Sequence, residues 1–343
     1  MYSFKNDYSE GAHPNILNSL LQTNMEQTSG YGEDPYTEKA KGLIKEQIGR
    51  EDVEVHFLVG GTQVNLTAIS AFLRPHEAAI AAHSGHIAVH ETGAIEATGH
   101  KVLTAETENG KLTVCKIQEL VESHCDEHMV KPKLVYISNS TEVGTIYSKK
   151  ELEMLSAYCK KTGLLLFLDG ARLGSALMAK ENDITLNDLA RLTDAFYIGG
   201  TKNGALMGEA LVIVKENLKE DFRYLIKQKG GLLAKGRLIS LGFIELFTND
   251  LFFELAAHAN LMAEKLTEGI EAAGFSFLSA SPTNQIFPIF PNQVIECLKE
   301  KYDFSIWEKI DEHHTAIRLV TSWATQEVYV EAFNQDLMKI CAL

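Results

Sequence analysis

Leu164-Leu165-Leu166-Phe167-Leu168-Asp169-Gly170-Ala171-Arg172 is an unbroken apolar run that stops at a carboxylate, and Ala195-Phe196-Tyr197-Ile198-Gly199-Gly200-Thr201-Lys202 is a second run that stops at an ammonium. Strands that are apolar at every position have both faces covered, which is the habit of parallel strands in α/β sheets. The two opposite charges are therefore expected at one edge of one sheet, outside the carboxyl ends of the strands, where ligands of open α/β sheets bind. A lysine and a carboxylate at that edge suit pyridoxal phosphate, whose aldehyde takes a lysine as a Schiff base and whose ring nitrogen takes an acidic partner. The loop around Lys202 is made of small residues (Gly199, Gly200, Thr201, Gly204), which leaves room for a ring beside the ammonium.

Working outward, 343 residues at 45% hydrophobic suffice for one large α/β domain and a smaller one. A formal net charge of −14 argues against a binder of phosphate backbones, which would carry clustered basic residues, so nucleic acid is not expected as a partner. Five scattered cysteines with no Cys-x-x-Cys suggest neither a disulfide framework nor a zinc knuckle, and a reducing compartment fits them. Met1 to Glu10 is polar and no stretch approaches the ~20 apolar residues of a membrane span. The expectation is a cytoplasmic protein with no membrane partner.

In chain order, Met1 to Pro14 lacks periodicity and reads as an extended arm, followed by a helical stripe at Ile16, Leu17, Leu20 and Leu21. Tyr31-Gly32-Glu33-Asp34-Pro35 is a turn whose Asp34 caps a helix ending at Gly49. A strand at Val53 to Val59 runs into Gly60-Gly61-Thr62 and a helical pattern (Val64, Leu66, Ile69, Phe72), so backbone N–H groups and the helix dipole converge where an anion could sit. That turn lacks the Walker lysine and the spaced-glycine dinucleotide fingerprint, and an empty tight turn is the alternative. Further alternation follows: strand Ala78 to Ala82, helix His86 to Ala97, strand Val102 and Leu103, helix Val114 to Glu122, strand Leu134 to Ser138, and a helix opened by the capping box Ser148-Lys149-Lys150-Glu151. Beyond Lys202 come a β run at Ala210 to Val214 and one long amphipathic pattern, Leu246 to Ala273. This is the order of a doubly wound, mostly parallel sheet followed by a smaller C-terminal α+β domain. The expected division is 1–248, with the arm 1–14, and 249–343.

His86 and His90 stand four apart, a spacing that places two ligands on one helical face, so a metal site is the rival reading of His83, His86, His90 and Glu91. No His-Glu-x-x-His is present, and Asp311-Glu312-His313-His314 reads as a solvated turn, so no metal is expected. The other role for one of these histidines is to lie on an aromatic ring and to move protons near neutral pH.

Tyr31-Gly32-Glu33-Asp34-Pro35, Gly61-Thr62-Gln63-Val64-Asn65, His86 with Glu91, Leu168-Asp169-Gly170-Ala171-Arg172, Thr201-Lys202 and Arg318-Leu319-Val320-Thr321, in that order, resemble the low-specificity L-threonine aldolases of the β-eliminating lyase family. The resemblance implies a pyridoxal phosphate enzyme of the aspartate aminotransferase type (fold type I). Such an enzyme cleaves L-threonine and L-allo-threonine to glycine and acetaldehyde, in a homodimer or homotetramer with shared active sites. It implies that Lys202 holds the cofactor, Asp169 its ring nitrogen, and Gly61 and Thr62 its phosphate, with His86 stacked on the ring. It implies that Arg172 and Arg318 bind the substrate carboxylate, Arg172 also lying at the cofactor, with help from Asn6 and with Tyr31 at a neighbouring site.

The chain departs from the family pattern twice. Ser138-Asn139-Ser140-Thr141-Glu142 puts Thr141 where the family has a histidine, and Gly230-Gly231 is followed by Ala234 and Lys235 rather than by an arginine. Lys235 would then supply charge to the phosphate as a point charge without a bidentate fork. Threonine is too weak a base to take a hydroxyl proton, and His83 is expected to take it. Other β-hydroxy amino acids such as phenylserine suit the same chemistry, and a non-catalytic cofactor- or metal-binding protein is the alternative of a different class.

Overall fold

Alternate residues of the buried strands go to opposite layers of the molecule, and this explains why the sequence shows apolar runs instead of alternation. In the computed structural model, which describes residues 1–342, Leu166 and Leu168 pack with Ile44, Leu152, Leu155 and Phe243 on one face of a central sheet. Leu165 and Phe167 pack with Val64, Ala68 and Phe222 on the other. Helices Pro35–Ile48, Lys149–Thr162 and Arg237–Leu246 cover the first face, and Gly61–Phe72 and Phe222–Gln228 cover the second.

The sheet has seven strands in the order Glu54–Leu58, Glu209–Ile213, Ala195–Gly199, Leu165–Asp169, Lys131–Ser138, Glu77–Ala82, Val102–Ala105. From Ala195–Gly199 to Val102–Ala105 all pairings are parallel. Glu209–Ile213 runs against both of its neighbours. Reversal matters for function, because it brings the first residue of that strand, Glu209, to the edge where its neighbours end.

A third core forms the smaller lobe, with Met262, Leu266, Ile270, Phe290, Ile317, Leu319, Phe333 and Leu337. Its strands Ile289–Pro291, Ser305–Lys309 and His314–Val320 pair antiparallel, and Gln285–Ile286 also pairs with His314–Val320. The N-terminal arm belongs to this core. Tyr2–Ser3 pairs with Tyr302–Asp303, Phe4 is fully buried, and its backbone bonds Asp303 and Val320 at 2.8 Å each. A phenylalanine this deeply packed is what ties down an otherwise non-periodic segment.

Two local expectations are corrected. The helix expected over His86 to Ala97 is a single turn, His86–Val89, and a 3₁₀ turn, Glu96–Thr98, because Thr92 and Gly93 take left-handed φ values of 53° and 71°. The amphipathic pattern Leu246 to Ala273 is broken at Asn249 and Asp250, also left-handed, into Arg237–Leu246 and Leu251–Ala272. In the small lobe Phe277 makes one isolated bridge, to Pro288. Strand Ser305–Lys309, with exposed Ile306, was not legible from its pattern.

Candidate functional site

The register of the sheet assembles the site. Ser138 is the partner of Asp169, and Gly199 is the partner of Glu209, so four strands present these residues along one edge. Against that edge lies a cleft of about 500 Å³ between the lobes, lined by Gly61, Thr62, His86, Lys202 and Arg172 from the large lobe and by Arg318 from the small one.

Asp169 is held from several sides. It accepts hydrogen bonds from the Tyr136 hydroxyl, from Asn65 Nδ2 at 3.2 Å and from the Ala171 amide at 2.9 Å. Burial by itself would raise its pKa, but the His86 charge and the hydroxyls of Tyr136 and Tyr197 outweigh it and hold the carboxyl below its ordinary range. Asn65 Nδ2 also reaches Glu91 Oε1 at 2.7 Å, and the same oxygen accepts from His86 Nδ1 at 2.8 Å. The buried Glu91 carboxylate thus fixes the imidazole of His86 through Nδ1, leaving Nε2 as its other ring nitrogen.

Lys202 follows the strand Ala195–Gly199, and burial, then the Arg172 charge, lowers its pKa from the ordinary lysine value. Glu209 lies beside it, accepts from the Gly200 amide at 3.0 Å, and is pushed up to about 8, chiefly by burial. An amine with a lowered pKa is a better nucleophile at neutral pH.

Arg172 and Arg318 form the cationic end of the cleft. Asp7, from the arm, takes Arg172 in a bidentate pair, Nε at 2.7 Å and Nη2 at 3.0 Å, and also accepts from Asn284 Nδ2 at 2.9 Å. Burial would raise Asp7, but Arg172 and Lys202 lower it. Arg318 lies over the Trp307 ring at 5.4 Å, and its Nε is buried with no partner. Burial and the neighbouring Arg172 charge lower its pKa. Two guanidiniums with one carboxylate between them leave a net positive charge, the complement of a second carboxylate.

Other expected residues are placed elsewhere. His83 is not in the cleft: its Nδ1 lies 3.3 Å from Glu106 and accepts from the Thr107 amide at the end of the next strand. Asn6 turns back on its own arm, accepting from the Tyr8 amide at 2.9 Å and the Ser9 hydroxyl at 3.0 Å, while Tyr8 lines the cleft and Asp7 is buried against Arg172. Tyr31 and Lys235 sit together on a different, exposed surface, where the Tyr31 amide bonds Ala234 O at 3.3 Å and Lys227 lies 4.4 Å over the Tyr31 ring. Thr141 is buried and bonds Thr145. Sequence reasoning missed Glu142, Glu209, Gln285 and Trp307, which line this site, and Asp7, which pairs with Arg172; His90, weighed only as a metal ligand, lines it too. For Glu142 a signal existed: it is the first acidic residue after the buried strand that neighbours Asp169.

The residues present fit pyridoxal phosphate. A Cβ on Gly61 would stand 3.0 Å from the Tyr197 hydroxyl, so the helix start is a cradle that a side chain would fill, and its amides are available to a phosphate. An ionised Asp169 beneath the cleft and a lysine of lowered pKa in it match a protonated ring nitrogen and an aldehyde carbon. Among the described residues no group of three His, Cys, Asp or Glu side chains is placed to hold a metal ion, and no helix is long and apolar enough to cross a membrane.

Comparison with known proteins agrees with the geometry. The profile of the beta-eliminating lyase family matches residues 7–292. The low specificity L-threonine aldolase of Pseudomonas aeruginosa is 32% identical over 97% of this chain and 96% of its own length, and that of Saccharomyces cerevisiae is 27% identical over 78% and 70%. Among solved structures, the Leishmania major threonine aldolase superposes with a TM-score of 0.99 at 52% identity, covering 99% of this chain and all of its own. An aspartate aminotransferase of Thermus thermophilus shares the fold at a TM-score of 0.72 and 15% identity, over 99% of this chain and 91% of that one. The chain belongs to the beta-eliminating lyase family, with the fold of the aspartate aminotransferase type.

Proposed function

We propose that this lyase uses pyridoxal phosphate to cleave β-hydroxy-α-amino acids, L-threonine and L-allo-threonine among them, into glycine and an aldehyde. The observation that carries the reading is one cleft lined by Lys202, Arg172 and Arg318, with Asp169 buried behind its lining residue Ala171, in a chain of this family. When bound, the cofactor supplies a sink for the electron pair released when the Cα–Cβ bond breaks.

The chain's own residues do the rest. Lys202 would be the covalent anchor, Asp169 would keep the ring nitrogen protonated, and Gly61 and Thr62 would hold the phosphate at the helix start. Arg172, already oriented by Asp7, and Arg318, braced on Trp307, fix the substrate carboxylate and so the direction of the bond to be broken, where small misplacements are costly. Division of labour follows the lobes, 1–248 carrying the cofactor residues and 249–343 carrying Arg318. A second copy of the chain would bring Tyr31 and Lys235 to its neighbour's cleft, which is why we read the protein as at least a homodimer. Their shared exposure on a surface apart from the cleft supports this.

Aldehyde release from a panel of β-hydroxy amino acids, phenylserine included, tests the reading. Wild-type protein with cofactor is expected to release aldehyde and glycine in equal amounts. Borohydride is expected to fix the chromophore on wild type and not on Lys202→Ala. Release of no aldehyde from any member of the panel would overturn the assignment.

A further inference from the structure

Breaking the Cα–Cβ bond requires a group that accepts the β-hydroxyl proton, and the cleft offers few. Asp169 is engaged by three donors, Asp7 by Arg172 and Asn284, and Glu209 by the Gly200 amide and the Thr201 hydroxyl beside Lys202. His83 faces Glu106 outside the cleft. His90 lines the cleft, but burial and the surrounding charges of His86, Arg318, Lys202 and Arg172 lower its pKa, which makes it a poor proton acceptor.

His86 also lines the cleft, but Glu91 holds its Nδ1 and its ring is assigned to stacking on the cofactor. Among the carboxylates Glu142 remains, and its surroundings are those of a positioned base. It lines the cleft, and its Oε1 accepts from the His86 amide at 2.9 Å and the Ser138 hydroxyl at 2.7 Å. Among the described residues no hydrogen bond from another residue falls on Oε2. The carboxylate is therefore fixed through one oxygen with the other open. The same cleft holds a second open group: the amide of Gln285, buried in its lining, has no partner for either Nε2 or Oε1. The two segments touch, since a Cβ on Gly144, two residues after Glu142, would stand 3.0 Å from the Gln285 carbonyl oxygen. A buried amide left without partners in one lobe, facing the same cleft as a half-buried carboxylate from the other, points to a ligand that supplies a hydrogen-bonding group there.

We infer that Glu142 is the catalytic base that accepts the β-hydroxyl proton, with the Gln285 amide orienting the same hydroxyl; this rests on the retro-aldol reading above. Glu142 takes the proton as the O–H electron pair becomes the second bond of the carbonyl, and the Cα–Cβ pair passes to the α-carbon. That carbon then gains a proton, which balances the one lost from oxygen. Burial, then Asp169, raises the Glu142 pKa above the ordinary carboxylate value, while Ser138 and His86 lower it. Tyr136, Tyr147 and Arg172 also feel its charge.

Glu142→Gln separates this role from a structural one. Cofactor uptake, read from visible absorbance, and exchange of the glycine α-proton with deuterium oxide, read by NMR, involve no hydroxyl and are expected to stay near wild type. Aldehyde release is expected to fall by about 10²- to 10⁴-fold, and the acid limb of its pH profile to disappear. In the cofactor-free protein, carboxyl ¹³C NMR is expected to lose one glutamate signal that titrates above the ordinary range. Glu142→Ala is expected to regain cleavage when formate is added, which a misfolded variant would not. A wild type that cleaves nothing overturns the reading of function. A wild type that cleaves, beside a Glu142→Gln that cleaves equally well with its acid limb intact, overturns only the role of Glu142. If His90→Asn alone removes the limb, the base is His90 and the inference is wrong.

Discussion

Asp169 and Arg318 come to the cleft from different lobes, and they are held in different ways. Asp169 ends a strand of the central sheet and receives three donors from elements on that same sheet or packed against it. Arg318 lies on a strand of the small lobe, with one long bond to the Lys5 carbonyl at 3.4 Å, a ring beneath it, and a buried Nε without a partner. Asp169 itself is thus satisfied from within the protein and suits a resident group, while Asn65 Oδ1 and Glu91 Oε2 around it are buried without partners. The roof keeps polar valences open and suits a group that comes and goes.

If that contrast is right, floor substitutions act on the rate and roof substitutions on substrate affinity. Asp169→Asn is expected to retain cofactor and to lower kcat by up to about 10⁴-fold, because a neutral amide does not keep the ring nitrogen protonated. Steady-state kinetics with the cofactor absorbance recorded in parallel checks this; a raised KM with kcat preserved would erase the distinction. Phe4→Ala probes how the arm is tied to the roof. Removing a fully buried ring is expected to cost roughly 3–5 kcal/mol, read from the denaturant midpoint, and to raise KM because Asp7 follows three residues later. Deleting Met1 to Ser9 should therefore cost stability as well as affinity, not affinity alone.

Arg318→Leu removes one of two cations facing the carboxylate. Loss of a charged, buried hydrogen-bonding partner of about 3 kcal/mol corresponds to a KM raised by about 10²-fold, with kcat reduced less. An equal loss in kcat with KM unchanged would show that Arg318 acts on the reaction coordinate and belongs with the floor.

The same contrast explains what was legible in the sequence. Floor residues lie at the ends of apolar runs, so Asp169, Lys202 and the Gly61-Thr62 turn could be read from strand boundaries, and the sheet order follows from one register. Roof residues depend on contacts between distant parts of the chain. Asp7 reaches Arg172 only because Phe4 is buried among residues of the C-terminal lobe, and no local pattern around residue 4 contains that information. Gln285 and Trp307 lie on short strands whose pairing is set by His314–Val320. His83 failed for the converse reason: adjacency in sequence to His86 placed it near the right edge, but the turn after the strand points it at Glu106.

A pH-dependent effect sharpens the account of the floor itself. Glu209 is fully part of it, beside Lys202, yet burial pushes its pKa from 4.5 up to about 8, with Thr201, Lys202 and the Gly200 amide pulling the other way. Below pH 4.5 the group is neutral in both the folded and the unfolded chain and makes no difference to stability. Between 4.5 and 8 the unfolded chain ionises while the folded one stays protonated, so wild type loses stability steadily as pH rises through that window, and above 8 the loss is complete and constant. Glu209→Gln keeps an acceptor for the Gly200 amide and does not titrate. The variant is expected to match wild type below pH 4.5, to gain on it across the window, and to hold a fixed advantage above 8, as read from urea midpoints in the three ranges. A variant less stable than wild type above 8 would mean that Glu209 is ionised and paired with the Lys202 ammonium in the folded protein. The pair would then be an ion pair that Lys202 must leave before it acts as the anchor.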